Sequence, residues 1–238
     1  MSDFDTFAAI VKKRRSTRFF KPDPIPEDNV QKVIECGQWA MSGGNSQPWQ
    51  FIVIKNGQTR HKIATLHAEV RTLTRPLELS RAAALQHPGS PEAMPSPFAD
   101  APVHIAVVGD PRTLVTSVVS ASIITGEREV FHHGMANAAM VMHLAAASLG
   151  LNSEWVSVSP AWEDSLKRLL GVPEILKLPL LVVLGYAAKG PSAGFRHNLE
   201  SIVHKEKYEM SKFRSTEAVL EGVTEIHRHR TEGRKSSK

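Results

Sequence analysis

The sequence predicts one domain that combines helices with about four or five strands around a sizeable core. A chain of 238 residues with 42% hydrophobic and 22% charged residues is typical of a soluble globular protein. Val103–Gly109 and Leu180–Gly185 are short, continuous apolar segments, which is the pattern of buried strands. Glu127–Leu149 instead repeats apolar residues every three or four positions and is the clearest helix in the sequence.

Two helices are predicted before the first strand. Ser2 or Asp3 can cap a first helix, whose apolar residues recur at helical spacing and which ends near Arg15. Pro26 suits the opening of a second helix, and the two acids after it lie where the helix dipole favours negative charge. This second helix is predicted to reach about Met41, where a loop begins.

A proline-rich stretch interrupts the middle of the chain. Residues 58–74 are predicted to be helical, and Leu77–Leu85 could form a further helix. Residues 87–100 look irregular, and an irregular excursion of this length in a compact domain is often a lid. Residues 75–100 are therefore interpreted as a lid over a binding site, with a passive surface loop as the alternative.

The C-terminal half is predicted to contain further short elements and a polar extension. Glu154–Val158 is a strand, and Pro160 begins a helix that Gly171 ends. Arg196–Tyr208 leads toward a last strand or arm. Residues 211–238 are polar, and at least the last dozen are predicted to be disordered.

The loop from Ser42 to Trp49, just before a predicted strand at 50–54, carries the first functional signal. Its two adjacent glycines permit backbone angles or close approaches that a Cβ forbids. Asn45 and Gln47 each offer a donor and an acceptor in one plane, so the loop could bind the edge of a flat heterocycle. The alternative is an ordinary loop in which the glycines turn and the amides cap.

Lys12–Arg18 carries the second signal, because it packs five cations and two hydroxyls into seven residues. Guanidinium groups and hydroxyls together suit a phosphate. The alternative is a solvated basic helix end, which the helix dipole favours. A phosphate site and a heterocycle-binding loop in one domain together fit a phosphorylated, planar, nitrogen-rich cofactor.

Five segments resemble the FMN-dependent nitroreductase family, in the family's order and over roughly residues 5–210. They are Arg14-Arg15-Ser16-Thr17-Arg18-Phe19-Phe20 (family pattern R-R-S-x-R-x-F), Ser42-x-x-Asn45-Ser46-Gln47-Pro48-Trp49 (P-S-S-x-N-x-Q-P-W), Ala145-Ala146-x-x-Leu149-Gly150-Leu151, Leu184-Gly185-Tyr186, and Arg196 followed by Glu200-x-Ile202-Val203-His204. Three positions depart from the family: Met41 replaces a common proline, Gly43 a common serine and His132 a common acid. These departures bear on substrate preference more than on the cofactor.

The resemblance implies an α+β fold with a central, mostly antiparallel sheet flanked by helices. It also implies a homodimer with two FMN molecules at the interface, where the helix at 127–149 lies and the C-terminal segment crosses to the other subunit. Residues 1–210 would form the FMN-binding domain, with 75–100 as its variable lid and 211–238 as an extension.

The chemistry implied by the resemblance belongs to the flavin. Hydride from NADH or NADPH would enter at flavin N5, and a small aromatic acceptor such as a nitroaromatic or quinone would then take the electrons. Arg14, Arg15, Ser16 and Arg196 would bind the phosphate, Asn45 and Gln47 would contact the pyrimidine edge or ribityl chain, a backbone N–H near Ser157 or Val158 would meet N5, and Arg18, Ser42 and Gly43 complete the predicted cofactor-binding set. No side chain is assigned as a catalytic acid or base.

Other features argue against metal, nucleic-acid and membrane functions. His132 and His133 are adjacent in a helix and point about 100° apart, so no metal site is predicted. No aromatic residues interleave with the basic ones, so no nucleic-acid partner is predicted. The sequence has no apolar run long enough to span a membrane and no signal peptide. One cysteine, Cys36, interpreted as buried, is compatible with the cytoplasm.

Two other classes of function stay open on the sequence alone. The same flavin fold could support dehalogenation, dehydrogenation or flavin conversion, with the difference residing in the lid. Alternatively, the protein could be a non-enzymatic flavin-binding or regulatory module.

Overall fold

The computed structural model describes residues 2–83, 96–116, 127–190 and 194–235. The chain forms two compact units, of which the first comprises Met1–Arg71 with Ala93–Lys189 and the second Thr72–Glu92 with Gly190–Lys238. The first unit holds the whole sheet. The predicted division into 1–210 and 211–238 stays a prediction.

The sheet has five strands in the described part of the chain, and every strand pair in it is antiparallel. The strands are β1 (Phe20–Lys21), β2 (Trp49–Ile54), β3 (Val103–Gly109), β4 (Asn152–Ser157) and β5 (Lys177–Ala187). Their order is β1-β5-β3-β2, with β4 also paired to β5. An isolated parallel bridge joins Ser16 to Ser153 of β4. The predicted mostly antiparallel α+β architecture is confirmed.

Helices cover both faces of this sheet. In the first unit they are α1 (Asp3–Lys13), α2 (Glu27–Gln38), α4 (Glu127–Ser148) and α5 (Pro160–Leu170), and α3 (Gly57–Leu79) begins there and continues into the second unit. The second unit also holds α6 (Leu199–Ile202) and α7 (Thr216–Lys235).

Helices α2 and α4 cover one face of the sheet and approach each other closely. Val30, Val33 and Gly37 form the buried side of α2, as their spacing of three and four residues predicts. A Cβ placed on Gly37 would lie 2.6 Å from Cγ of Met142 on α4, so a larger residue there would require Met142 to shift. The close approach of α2 and α4 within one chain therefore depends on the glycine of α2.

Helices α3 and α5 cover the other face. Four buried residues of these helices pack against the side chains that β3 and β5 direct to this face. They are Ile63 and Ala64 from α3 and Trp162 and Leu166 from α5. Phe98 joins this core, so the turn at residues 97–100 is anchored to the core although it has no helix or strand.

Several predicted element boundaries are confirmed. Ser2 caps α1 through a capping box with Asp5, as the sequence predicts for its first helix. Gly171 ends α5 in the left-handed conformation that glycine adopts readily. β3 has the bounds that were predicted from its continuous apolar run.

Three predictions differ from the structure. Cys36 is exposed and not buried, because it lies to one side of the α2 face formed by Val30, Val33 and Gly37. The stretch 196–208 contains the short helix α6 instead of a last strand. Helix α7 extends to Lys235, through much of the tail predicted to be disordered, while 236–238 lie outside the described residues. Most of the irregular segment predicted at 87–100, residues 87–95, also lies outside the described residues.

Candidate functional site

In the loop between α2 and β2, three of four successive residues adopt the left-handed backbone conformation. Gly44 has φ 59°, Asn45 has φ 53° and Gln47 has φ 44°. Glycine adopts this conformation freely, whereas Asn and especially Gln do so at a cost of roughly 1–2 kcal/mol. Backbone strain of this kind persists where the surrounding structure enforces it, and it is concentrated at functional sites.

Hydrogen bonds hold the loop in this shape. The N–H of Gln47 donates to Oγ of Ser42 at 3.0 Å, and the N–H of Asn45 donates to the carbonyl of Ser42 at 3.0 Å. From α4, Nδ2 of Asn137 donates to the carbonyl of Met41 at 3.0 Å. The loop is therefore closed by Ser42 and fixed to α4.

The residue at position 43 is adapted to its neighbour on α4. A Cβ on Gly43 would lie 2.4 Å from Cγ1 of Val130, so the serine common in the family would require Val130 to shift. Gly134 lies one turn further along α4, and a Cβ there would lie 3.4 Å from Cβ of Ser42. Small residues on both sides let the loop lie directly on the helix.

The amide side chains of the loop remain directed to its surface. Asn45 and Gln47 are exposed. Gln47 uses Nε2 to donate to the carbonyl of Asn45 at 3.3 Å, while the side chain of Asn45 makes no hydrogen bond to any described residue. A strained and well-supported loop thus presents an amide that can donate and accept toward a ligand.

The basic segment divides into residues with different environments. Nη1 of Arg15 donates to the carbonyls of Lys12 and Arg14, which lie at the C-terminal end of α1. Arg15 therefore caps the helix from which it emerges. Arg18 instead lies near β4, where its Nε is 3.7 Å from Oε1 of Glu154.

The same segment runs along the side of β4 that faces away from β5. The N–H of Thr17 donates to the carbonyl of Ser153 at 3.0 Å. Nδ1 of His143 on α4 lies 2.7 Å from Oγ of Ser153 on the adjacent strand. Asn137, which fixes the loop, and His143, which lies beside the basic segment, are six residues apart, or about 9 Å along α4. Helix α4 therefore supports both predicted parts of the site.

The β4–β5 register distinguishes the N–H groups of Ser157 and Val158, the two donors predicted for flavin N5. The N–H of Val158 donates to the carbonyl of Pro179 at 2.8 Å, so this group is directed toward β5. Backbone groups of successive residues in an antiparallel strand point to opposite sides. The N–H of Ser157 is therefore directed away from β5, like the Ser153 carbonyl that accepts from Thr17.

Two buried titratable groups near the basic segment carried no usable signal in the sequence. Burial and the charge of Arg14 lower the pKa of His143 to about 4, so this histidine is neutral near pH 7. Burial raises the pKa of Glu154 to about 7, although Arg18 and Arg71 oppose the shift. Only the pairing of β4 with its neighbours brings these side chains to the basic segment.

Arg196 belongs to the second unit, where its Nη1 donates to the carbonyl of Phe195 at 2.7 Å. Its predicted role at the phosphate stays a prediction. His132, one of the departures from the family pattern, is exposed on α4. In the described part of the chain, no group of three or more His, Cys, Asp or Glu residues could hold a metal ion.

The protein is thus an α+β protein with an antiparallel sheet. A strained amide loop and a basic segment lie at the edge of this fold, and helix α4 supports both. Residues 11–186 match the Nitroreductase family, so the chain belongs to that family. The resemblance predicted from the motifs is thereby confirmed. Members of the family bind FMN, which confirms the predicted cofactor at the level of the family.

Similar sequences include proteins of different activities. Iodotyrosine deiodinase 1 of Rattus norvegicus is 26% identical over 77% of this chain, which spans 63% of that protein. The NADH dehydrogenase of Thermus thermophilus is 26% identical over 80% of this chain and 91% of its own length. The 5,6-dimethylbenzimidazole synthase of Rhodospirillum rubrum is 30% identical over 65% of this chain and 70% of its own length.

Solved structures show the same fold. Nitroreductase A of Vibrio parahaemolyticus superposes with a TM-score of 0.68 at 16% identity, covering 95% of this chain and 86% of that one. The structure of oxidized iodotyrosine deiodinase bound to FMN and 3-iodo-L-tyrosine superposes with a TM-score of 0.65 at 19% identity, covering 85% of this chain and 100% of that one. At these identities the likeness supports the fold alone.

Membership of the family indicates an oxidoreductase. No helix in the described ranges is both long and apolar enough to cross a membrane. The predicted cytoplasmic location stays a prediction.

Proposed function

We propose that this protein is an FMN-dependent oxidoreductase that takes electrons from NADH or NADPH and passes them to a small aromatic acceptor, such as a nitroaromatic or a quinone. The observation that carries the proposal is the shared support of the strained loop and the basic segment by helix α4. Asn137 fixes the loop through Met41, and His143 lies beside the strand that pairs with the segment.

The residues present fit an FMN molecule at both of its polar ends. Arg14, Ser16 and Arg18 supply guanidinium and hydroxyl donors for the phosphate or a flavin oxygen. The side-chain amide of Asn45 has no hydrogen-bond partner among the described residues, and its donor and acceptor suit the pyrimidine edge. FMN, when bound, supplies the acceptance and delivery of hydride at N5. Arg15 is better explained as the cap of α1 than as a phosphate ligand.

Ser157 is the better candidate for the backbone donor near flavin N5. Its N–H is directed away from β5, whereas that of Val158 is already bonded to Pro179. Oγ of Ser157 accepts from Nε1 of Trp155 at 3.1 Å, which fixes the end of β4. The protein's own residues thus bind and orient the cofactor, and none of them is assigned a proton transfer.

The site is proposed to be completed in a homodimer. Helix α1 has no buried residue, and its Phe4 and Phe7 are 75% and 54% exposed. An apolar helix face of this kind is expected to be covered by a partner. α4 adds Val130 and Met140, which are also partly exposed beside buried positions.

The proposal is tested by the purified full-length protein. We expect a flavin absorption spectrum, with FMN as the released species, and anaerobic bleaching when NADH or NADPH is added. Reoxidation by a nitroaromatic or quinone should then restore the spectrum. FAD in place of FMN, or no flavin binding at micromolar concentration, would overturn the cofactor assignment. Bound FMN that neither nicotinamide reduces would favour the non-enzymatic flavin-binding module.

Reductive dehalogenation is a second candidate activity. It is favoured by the similarity to iodotyrosine deiodinase 1 over 77% of this chain. The two candidates are separated by supplying a halogenated phenol and a nitroaromatic to the reduced protein. Faster reoxidation by the halogenated compound, with release of halide, would select dehalogenation.

A further inference from the structure

Glu154 on β4 is a buried acid that the proposed function does not use. Its side chain is only 13% exposed. Oε2 is buried and has no hydrogen-bond partner among the described residues. A buried carboxylate is costly to keep ionised unless it is paired and hydrogen-bonded, so this side chain is poised between its two protonation states.

The groups around Glu154 explain this balance. Arg18, from the segment after α1, places Nε 3.7 Å from Oε1, and Arg71 on α3 adds a second positive charge. Across β4, His143 on α4 is kept neutral by burial, and the β5 partner is the apolar Val183. The two arginines favour the ionised form, but the loss of solvent outweighs them and raises the pKa of Glu154 to about 7.

Arg18 forms an ion pair with Glu154 but no hydrogen bond. The distance of 3.7 Å is that of an ion pair and is too long for a hydrogen bond. The Arg18 side chain is 38% exposed and donates no hydrogen bond to any described residue. Its five N–H groups can therefore reach a ligand oxygen while Glu154 competes for its charge.

We propose that an oxygen-bearing group of the flavin cofactor binds Arg18 in competition with Glu154, so that cofactor binding is coupled to proton uptake by the Glu154 carboxyl group. The inference rests on the proposed function, because it requires FMN to occupy this site. A ligand oxygen at Arg18 draws away the charge that stabilises the carboxylate and adds negative potential beside it. The carboxylate then takes a proton from solvent, and by reciprocity the protonated acid binds the cofactor more tightly.

The sign of the pH effect follows from the raised pKa of about 7. Below that pH the acid is already protonated, so Glu154 does not oppose binding. Above it the carboxylate is ionised, and binding must either bring in a proton or compete with the ion pair. Cofactor affinity is therefore expected to fall as pH rises above 7, by an amount that depends on Glu154.

The test compares FMN dissociation constants of the wild type and Glu154→Gln, which is isosteric with the protonated acid. The comparison at each pH cancels the ionisation of the FMN phosphate, whose second pKa lies near 6. The ratio of the wild-type constant to the variant constant should be near one at about pH 6. It should rise about tenfold by about pH 8.5, if the cofactor raises the carboxyl pKa by about one unit.

Riboflavin identifies the cofactor oxygen that competes with Glu154. A rising ratio for FMN alone places the phosphate at Arg18, and a rising ratio for both ligands places the ring or ribityl chain there. A constant ratio at every pH, with FMN still bound, overturns the inference and leaves the proposed function standing. Absence of FMN binding by the wild type overturns the proposed function as well.

A second measurement does not depend on the folding of Glu154→Gln. Calorimetry of FMN binding to the wild type in two buffers of different ionisation enthalpy gives the number of protons taken up. At about pH 8 the FMN phosphate is fully ionised and cannot account for uptake. We expect net uptake by the wild type and less by Arg18→Gln. Zero uptake by the wild type overturns the inference.

Discussion

At the scale of single residues, the two neighbouring arginines at the end of α1 are expected to have different roles. Arg14→Ala should weaken FMN binding by one to two decades, because a hydrogen bond to a charged group contributes roughly 1.5–3 kcal/mol. Riboflavin, which lacks the phosphate, should bind the variant almost as well as the wild type. Fluorescence titration of both ligands measures the difference.

Arg15→Ala is the matched control for that prediction. Its guanidinium donates to the carbonyls of Lys12 and Arg14, so its loss should lower the stability of α1 and leave FMN affinity within a few-fold. Equal losses of affinity in both variants would show that the cluster supports the fold and does not distinguish a phosphate.

A substitution at Asn45 can test the role of its side-chain amide without changing the strained backbone conformation. Asn45→Gly keeps the left-handed conformation, with φ 53° in the wild type, and removes the amide. Thermal stability should be unchanged or slightly higher, whereas FMN affinity should fall by up to about tenfold, since a neutral hydrogen bond contributes about 0.5–1.5 kcal/mol. The control is Gly44→Ala, which should lower stability through strain at φ 59°. Unchanged FMN affinity in Asn45→Gly would exclude the amide from the site.

Residue types and spacing were enough to propose the basic segment and the amide loop as parts of a site, but not to identify the buried side chains beside them. The basic cluster and the amide loop are continuous in the sequence, so their composition is visible directly. Glu154 meets Arg18 only because residues 16–17 pair with Ser153. The choice of Ser157 over Val158 likewise depends on the β4–β5 register, which the sequence does not specify locally.

At the scale of elements, a half-buried histidine (His67) and a buried one (His104) contact the segment that follows the proline-rich stretch. Nδ1 of His67 on α3 lies 2.5 Å from Oγ of Ser96, and Nε2 of His104 on β3 lies 3.3 Å from the carbonyl of Phe98. Burial lowers the pKa of both histidines to about 4. They are therefore neutral in the folded protein near pH 7 and join this segment to the core.

These histidines predict a loss of stability in mild acid. Between the unfolded pKa of 6.5 and the folded pKa of about 4, the unfolded chain binds more protons than the folded one. Their contribution is complete above pH 6.5 and is lost as the pH falls toward 4. Urea unfolding between these pH values should show a steadily decreasing free energy, with a smaller slope in His104→Gln.

His132→Gln is the control, because His132 is exposed and should leave the slope unchanged. Glu154 opposes this loss, because burial raises its pKa to about 7 and the folded protein therefore binds its proton before the unfolded chain does. The comparison with the wild type isolates the histidine: an equal slope in His104→Gln would show that His104 is protonated without disturbing the segment.

Helices and strands with strong local patterns were predictable, and those defined by tertiary contact were not. The spacing of apolar residues identified α2 and α4, and Ser2 and Gly171 marked helix ends. Strand β5 extends to Lys177 and Ala187, beyond its apolar centre, because β1 and β3 continue to pair with it there. Pairing partners far away in sequence set such boundaries.

At the scale of the whole molecule, the structure offers the apolar face of α1 as a surface for the predicted dimer. The family resemblance places α4 at the interface, but Ala138, Ala139 and Ala146 of this helix are buried in the core of one chain. The face of α1 does leave apolar surface uncovered in the first unit, since Phe4 and Phe7 are exposed and no residue of this helix is buried. The spacing of apolar residues predicted α4 correctly, but only the fold shows which neighbours that helix packs against.

The last prediction concerns this face of α1. Phe4, Phe7 and Val11 lie on consecutive turns and are 75%, 54% and 40% exposed, which leaves an apolar stripe in water. If a partner covers the stripe, Phe7→Glu should bury an uncompensated charge at the interface and shift the protein toward the 26.2 kDa monomer. Light scattering over a range of concentrations measures the shift. The control is Ile175→Glu, an equally exposed apolar residue beside α5, which should leave the mass unchanged. A wild type that is monomeric with FMN bound would show that the stripe is not an interface between copies of this chain.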